Sequence, residues 1–356
     1  MWKIVSMRYF LFLFIGLFAF TDVYSQGCCS GGSGSPIAGG YSQGVLREKQ
    51  VEFAANFRYS SSSKYFVGDK DTTIQLPDEL SSQYLYLRAG FGITKNLTME
   101  LSLGYYFDKR LSALNQEAQA NTREDLYSSG VSDLLIFPRY DIYYNSSATK
   151  KVEVTFGLGY KIPLGSHNDS LLVYDNPDPE ADDIYSILPP TVQPSNGSQD
   201  IMLYLFGLRG FPMKNLNIFA NALYIKKGYN SVGQKFGDYG SVAVFASKTF
   251  FRKLGVTVQL RGEWIGKMEY AQNVDVWSFY SYEPHNTGSK KLFFIPQLSY
   301  TFKQVTFYGL AEVPLYQNVN GVQVGSDLNV TFGISYRFSK FCDEATLLNE
   351  PIKSIN

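Results

Sequence analysis

The sequence predicts an all-β protein: a transmembrane, antiparallel, up-and-down β-barrel of about 12 strands, with short periplasmic turns and long extracellular loops. Three observations predict it. Apolar residues alternate with small or polar ones in stretch after stretch from Gln50 to Phe338. These stretches run ten to thirteen residues, longer than the roughly 5–6 of a globular strand and matched to the ~9–11 of a tilted membrane-crossing strand. The connections between them alternate long and short, as in barrels that carry loops at one end and turns at the other.

In chain order, residues 1–25 read as a secretory signal peptide. Lys3 and Arg8 supply the positive start, Tyr9 to Phe20 is the apolar stretch, and Val23 and Ser25 precede a cut before Gln26. The apolar stretch is too short to span a bilayer, which suits cleavage. A retained anchor is the alternative. So is a lipid on Cys28, although Ser25-Gln26-Gly27 lacks the aliphatic residue that usually opens such a site. Residues 26–48 form a Gly/Ser-rich periplasmic lead with a Cys28–Cys29 pair, too poor in apolar residues to build a core.

The barrel is predicted over 49–338, followed by a periplasmic tail at 339–356. Its strands are expected at 50–60, 83–93, 97–107, 131–143, 151–162, 199–209, 216–227, 241–250, 255–265, 291–302, 304–313 and 327–338. In the first, Val51, Phe53, Ala55, Phe57 and Tyr59 oppose Glu52, Asn56 and Arg58. In the second, Leu85, Leu87, Ala89, Phe91 and Ile93 oppose Tyr84, Tyr86, Arg88, Gly90 and Gly92. Long connections at 61–82, 108–130, 163–198, 228–240, 266–290 and 314–326 alternate with short ones at 94–96, 144–150, 210–215, 251–254 and 303. Pro138 and Pro296 fall inside strands, where each removes a ladder donor, so both are expected at bulges. Pro163 and Pro314 are expected just past strand ends, as rim-turn devices. The last strand alternates without a break and ends on Tyr336 and Phe338, resembling the signal by which the barrel-assembly machinery recognises its clients.

Composition closes off other classes. The chain has 32 Lys+Arg against 32 Asp+Glu among 356 residues, so it lacks the basic excess that nucleic-acid binding uses. Aromatics make up 16%, which argues against disorder. No apolar run reaches the ~18 residues of a membrane helix. A mean hydropathy of −0.14 fits a lipid-facing apolar side averaged against a polar lumen and polar loops. Aromatics near strand ends (Tyr59, Tyr105, Tyr140, Tyr160, Trp264, Tyr300, Tyr336, Phe338) suit interfacial girdles. A soluble β-sandwich would also alternate, but with shorter strands, no bias in loop length, and more Lys and Glu on its polar side.

Three short segments carry a family likeness. Gly130-Val131-Ser132-Asp133-Leu134, running on to Pro138-Arg139-Tyr140, resembles a Gly-x-Gly-Asp-Leu…Lys-Tyr-Arg strand of the transporter-like barrels grouped as the "MetA-pathway of phenol degradation" family. Gly157 to Ser166 is similar to that family's next strand and its Pro-x-Gly-Ser turn, and Gly197-Ser198-Gln199-Asp200 to the opening of the one after. Ser132 replaces the usual glycine. The likeness covers about a third of the chain and implies an outer-membrane channel or transporter for small hydrophobic or aromatic solutes in a Gram-negative bacterium.

If apolar sides meet lipid, then Glu52, Arg58, Arg88, Glu100, Asp133, Arg139, Asp141, Glu153, Lys161, Arg261, Glu263, Glu312 and Arg337 point into the lumen. Two readings are open: structural salt bridges that close a narrow lumen, or a selectivity ring along a solute path. Cys342 follows the last strand, and closure brings first and last strands together, so a disulfide to Cys28 or Cys29 is one expectation; capture of a soft metal by the Cys pair is a weaker one. Asp175, Asp178, Glu180, Asp182 and Asp183 cluster in the longest loop, where hard cations such as Ca²⁺ find oxygen ligands, but the spacing matches no EF-hand and a solvated face explains it better.

Catalysis has thin support. The chain's two histidines, His167 and His285, fall in loops, and Ser166-His167-Asn168-Asp169 offers residue types without a triad's geometry. A rim-active lipid hydrolase is therefore the weakest reading, behind a sealed or adhesive barrel that presents its loops to a partner. No cofactor is implied: neither a phosphate-binding glycine loop before a helix nor a zinc spacing occurs. The expected partners are outer-membrane lipid, the assembly machinery and a small solute.

Overall fold

The computed structural model describes residues 44–72, 79–114, 123–174, 176, 182–272, 274, 284–327 and 329–339. The barrel consists of twelve strands: β1 (Gln50–Ser62), β2 (Glu79–Gly92), β3 (Leu97–Leu114), β4 (Arg123–Ser146), β5 (Lys151–Pro163), β6 (Asp200–Phe211), β7 (Leu216–Lys226), β8 (Tyr239–Phe250), β9 (Leu254–Ile265), β10 (Ser289–Phe302), β11 (Val305–Val324) and β12 (Asn329–Ser339). Each pairs antiparallel with the next, and β12 pairs with β1 from Gln50↔Ser339 to Tyr59↔Val330. The sheet therefore closes without an edge, which is the way β structure satisfies its backbone polar groups in lipid.

Turns and loops segregate as their lengths predict. At one end sit the tight reversals after β2, β4, β6, β8 and β10. Phe251 and Arg252 both adopt positive φ, 50° and 57°, the geometry that matches hairpin turns to strand twist. At the other end β1, β3, β5, β7 and β9 give way to the longer connections, but the expected long connection at 314–326 is mostly strand: β11 runs on to Val324, leaving only residues 325–328 before β12. Several strands extend well past the membrane on this side: β4 reaches 24 residues and β11 reaches 20. Two hairpins decorate the rim, Tyr65–Gly68 with Lys70–Thr72, which adds to β11, and Ser170–Tyr174 with Ile184–Ile187.

The outer surface is the expected apolar belt. Phe53, Leu87, Leu101, Leu203, Val242, Leu260, Leu298 and Phe332 are all exposed on it. Tyr140, Tyr300 and Tyr336 stand at the turn end and Tyr105, Tyr160 and Trp264 at the loop end, all exposed.

The prolines depart from expectation. Pro314 lies inside β11, opposite Phe293, at the register shift between Leu292 and Phe293. It is a mid-strand bulge instead of a rim turn, which removes the need for an N–H at that point. Pro163 does end β5. Pro138 and Pro296 are not bulges. Each keeps register with one neighbour, Pro138↔Met99 and Pro296↔Val258, and the other neighbour's register continues unshifted across the gap. The missing donor costs a ladder bond without displacing the strand.

The lumen is not uniformly polar. Leu135, Phe137, Met202, Tyr204, Phe206, Leu223, Ile225, Tyr239 and Ile265 form a buried cluster inside it, joined by Leu208 and Phe219. Phe293, Ile295 and Leu310 form a second. Full burial of such a side chain stabilises by about 1.5–3 kcal/mol, so the barrel has a core of its own on the β4–β10 side. Inward glycines make room for it. A Cβ at Gly157 would lie 2.8 Å from the Phe137 ring, and one at Gly104 would lie 2.1 Å from the Tyr84 hydroxyl.

Candidate functional site

All thirteen predicted lumen residues are on the inner side of the wall, and most are buried. Eleven of them fall into three sets joined by ion pairs. The first crosses five adjacent strands with alternating sign. Arg337 Nε donates to Glu52 Oε2 at 2.6 Å, Arg88 Nη2 to Glu52 Oε1 at 3.0 Å, and Arg139 Nη2 to Glu100 Oε2 at 2.7 Å. Arg88 Nε lies 3.9 Å from the same Glu100 oxygen. The order β12, β1, β2, β3, β4 thus reads Arg, Glu, Arg, Glu, Arg.

The second set sits on β1, β9 and β11. Glu312 takes Arg261 Nη1 at 2.9 Å on one oxygen and Arg58 Nη2 at 3.0 Å on the other, with Asn329 at 3.3 Å. Glu263 lies 3.7 Å from Arg261 and accepts from Tyr239 Oη at 3.3 Å. The third set is nearer the loops. Lys161 Nζ is 3.2 Å from Asp133 and 3.1 Å from Asp200, and Lys227 Nζ is 2.9 Å from Asp200. Asp200 and Lys227 extend the network beyond what the alternation pattern singled out. Both sit at strand ends, where a two-residue period gives no inward assignment.

Asp141 and Glu153 are held differently. Thr155 Oγ1 donates to Asp141 at 2.6 Å. Glu153 is 2.7 Å from Lys151 Nζ and also accepts from the backbone N–H of Val45 at 3.3 Å. That second contact comes from residues 44–47, read from sequence as the end of a periplasmic tether, which lie within the turn-side mouth of the barrel. Leu46 is buried and its N–H donates to Thr98 Oγ1 at 2.7 Å. The inward glycines of β2 form the seat: a Cβ on Gly92 would fall 1.9 Å from the Arg47 carbonyl oxygen, and one on Gly90 would fall 3.1 Å from Leu46.

The loop-side mouth is partly covered from above. After its rim hairpin, the β5–β6 connection dips inward: Val192, Gln193, Ser195 and Ser198 are all buried. Lys109 Nζ donates to the Gln193 carbonyl at 2.6 Å, Ser128 Oγ to that of Val192, and Ser195 Oγ to Asp133. Between this inserted segment and the charged layers lies a chamber of about 150 Å³. Tyr84, Tyr106, Met202, Phe236, Tyr239 and Ile265 supply its apolar wall, and Arg58, Lys109, Asp133, Lys161 and Lys227 its polar edge. The Tyr84 and Tyr106 rings pack against each other at a tilt of 38°, with centroids 4.5 Å apart.

The other predicted sites gain less. Cys28, Cys29 and Cys342 lie outside the described residues, as do Asp175, Asp178 and Glu180. Asp182 and Asp183 are exposed, and Asp183 accepts from the Asn176 N–H at 3.0 Å. Among the described residues, no cluster of His, Cys, Asp or Glu is arranged to hold a metal ion. Ser166 and His167 do not bond to each other: Ser166 donates to Asp169, and His167 Nε2 meets Ser231 Oγ at 2.7 Å on a different loop.

A closed twelve-strand barrel with an apolar belt, aromatic girdles and a plugged lumen defines an outer-membrane β-barrel protein. Its fold is that of an outer membrane channel from Pseudomonas putida F1, with a TM-score of 0.60 over 84% of this chain and 99% of that one, at 12% identity. Lower similarity links it to the KdgM porin (TM-score 0.39, 8% identity, 80% and 99% covered). A mutant of the TodX monoaromatic hydrocarbon channel stands at the same level (0.39, 8%, 84% and 91%). No family model and no curated protein matches the sequence.

Proposed function

We propose that this protein is an outer-membrane channel that takes small hydrophobic or aromatic solutes from the loop side into the chamber beneath residues 188–198. The chamber carries the proposal. Its volume of about 150 Å³ is that of an apolar cavity able to hold a benzene ring. Aromatic rings line it, while Lys109 and the tyrosines at its edge suit a ring bearing one hydroxyl or acidic group. The sequence likeness to phenol-degradation barrels points to the same solute class. Beneath the chamber, the paired charges act as the selectivity barrier: compensated and buried, they offer a passing ion no free counter-charge.

One observation favours a second reading, a sealed barrel. The middle of the lumen is packed, with Thr98, Glu100, Phe137, Thr155 and Tyr204 all essentially inaccessible. Planar-bilayer recording separates the two. A channel gives a small conductance whose ion selectivity changes in Arg139→Ala or Arg261→Ala. Zero conductance in the parent and in both variants contradicts the channel.

A further inference from the structure

The lipid-facing surface carries a feature that the lumen does not explain. Across β6–β10, lateral pairing sets Leu203, Tyr224, Gly240, Trp264 and Lys290 in one outward row. The adjacent row toward the turns is Leu205, Ala222, Val242, Gly262 and Leu292. Gly240 therefore sits between two large rings, and Ala222 and Gly262 leave the row below nearly bare. The result is a groove in the apolar belt, walled by Leu203, Leu205, Tyr224, Val242 and Trp264. A Cβ at Gly262 would meet nothing within 4 Å, so this part of the groove is open space.

At its loop-side end the groove meets a small polar recess lined by Trp264, Ser289, Lys290, Asn318 and Asn320. Trp264 and Lys290 belong to both. Lys290 is exposed and makes no ion pair with any described residue, whereas the lumen lysines Lys161 and Lys227 are paired. The side-chain nitrogens of Asn318 and Asn320 already donate within the fold, to Tyr316 Oη at 3.2 Å and the Thr287 carbonyl at 3.0 Å. Their amide oxygens are acceptors suited to hydroxyl groups.

From these contacts we infer that the groove binds a phosphorylated glycolipid of the outer leaflet, a lipid A type molecule. An acyl chain lies over Gly262 and Ala222, below the Trp264 ring that covers Gly240, a phosphate meets Lys290, and sugar hydroxyls meet the asparagine oxygens. The position fits the ligand. The recess opens at the loop end of the belt, at the level of the Trp264 ring, where an aromatic marks the boundary between acyl chains and head groups. A basic recess beside an apolar groove is how membrane proteins hold anionic lipid head groups. A phospholipid with a small head group supplies fewer hydroxyls and one phosphate, and engages the asparagine acceptors less fully than a phosphorylated disaccharide.

Native mass spectrometry of the full chain, refolded in detergent, tests the inference with three probes: bis-phosphorylated lipid A, its dephosphorylated form, and phosphatidylglycerol. Lipid A is expected to be retained preferentially. Lys290→Gln and Gly262→Leu are each expected to weaken that retention by about fivefold or more, the order expected for one lysine at a lipid surface. Gly207→Leu, also an outward glycine with nothing within 4 Å but outside the groove, is expected to leave it unchanged. Heat-modifiable migration on gels verifies that each variant is folded. Retention of phosphatidylglycerol or dephosphorylated lipid A equal to that of lipid A overturns the inference, as does equal lipid A retention by all variants.

Discussion

Arg139 donates to Glu100 at 2.7 Å in a place where both side chains are almost wholly shielded from water. Glu100 also faces Arg88, so one carboxylate serves two guanidinium groups. Removing one partner of a buried pair typically costs about 3–5 kcal/mol, because a charge is left uncompensated. Glu100→Gln is therefore expected to destabilise the barrel by about that amount, read as a lowered denaturant midpoint by Trp fluorescence. Adding Arg139→Met to Glu100→Gln is expected to recover part of the loss, since the coupled pair is not additive. Additive losses would show that the pair is not coupled.

The turn-side plug makes a separate claim. Gly92 leaves room for the Arg47 carbonyl, and any side chain there collides with it. Gly92→Val is expected to expel residues 44–47 from the mouth and raise single-channel conductance at least severalfold. A conductance equal to that of the parent would mean that this segment does not obstruct the path.

Asp238 gives the loop side a pH dependence. Burial alone pushes its carboxyl upward, but the Lys227 backbone N–H, the Lys226 ammonium and the Tyr224 hydroxyl outweigh this and hold it below the usual carboxylate range. A depressed folded-state value stabilises above the unfolded value, about 3.9, and that stability is lost as pH falls through the folded value. Thermal midpoints are thus expected to fall below about pH 4, with a shallower fall in Asp238→Asn. Identical acid limbs in parent and variant would remove Asp238 from the account.

Much of this architecture is legible in the chain. Alternation places Glu52 and Arg88 inward, because a two-residue period has only two sides and one of them must meet lipid. It fails where both sides are buried or apolar. Met202, Tyr204 and Phe206 point inward while Leu203 and Leu205 point out, so β6 reads as a continuous apolar run that hides the lumen's own core. Pro314 reads as a strand end because the ladder cost is visible in the sequence, whereas the bulge that absorbs it depends on the neighbouring strand. The inward dip of Val192 and Ser195 depends on contacts with Ser128 and Asp133, more than sixty residues away. No local pattern encodes those.

The central claim is that small aromatic solutes occupy the loop-side chamber. Calorimetric titration of the refolded full chain with phenol tests it most directly, with Ser82→Phe as the comparison, since Ser82 lines the chamber and a ring there fills it. The account predicts saturable one-to-one binding to the parent, weakened about tenfold or more by the added ring, a loss of roughly 1.4 kcal/mol. Absence of saturable binding to the parent, or equal binding to parent and variant, would contradict it.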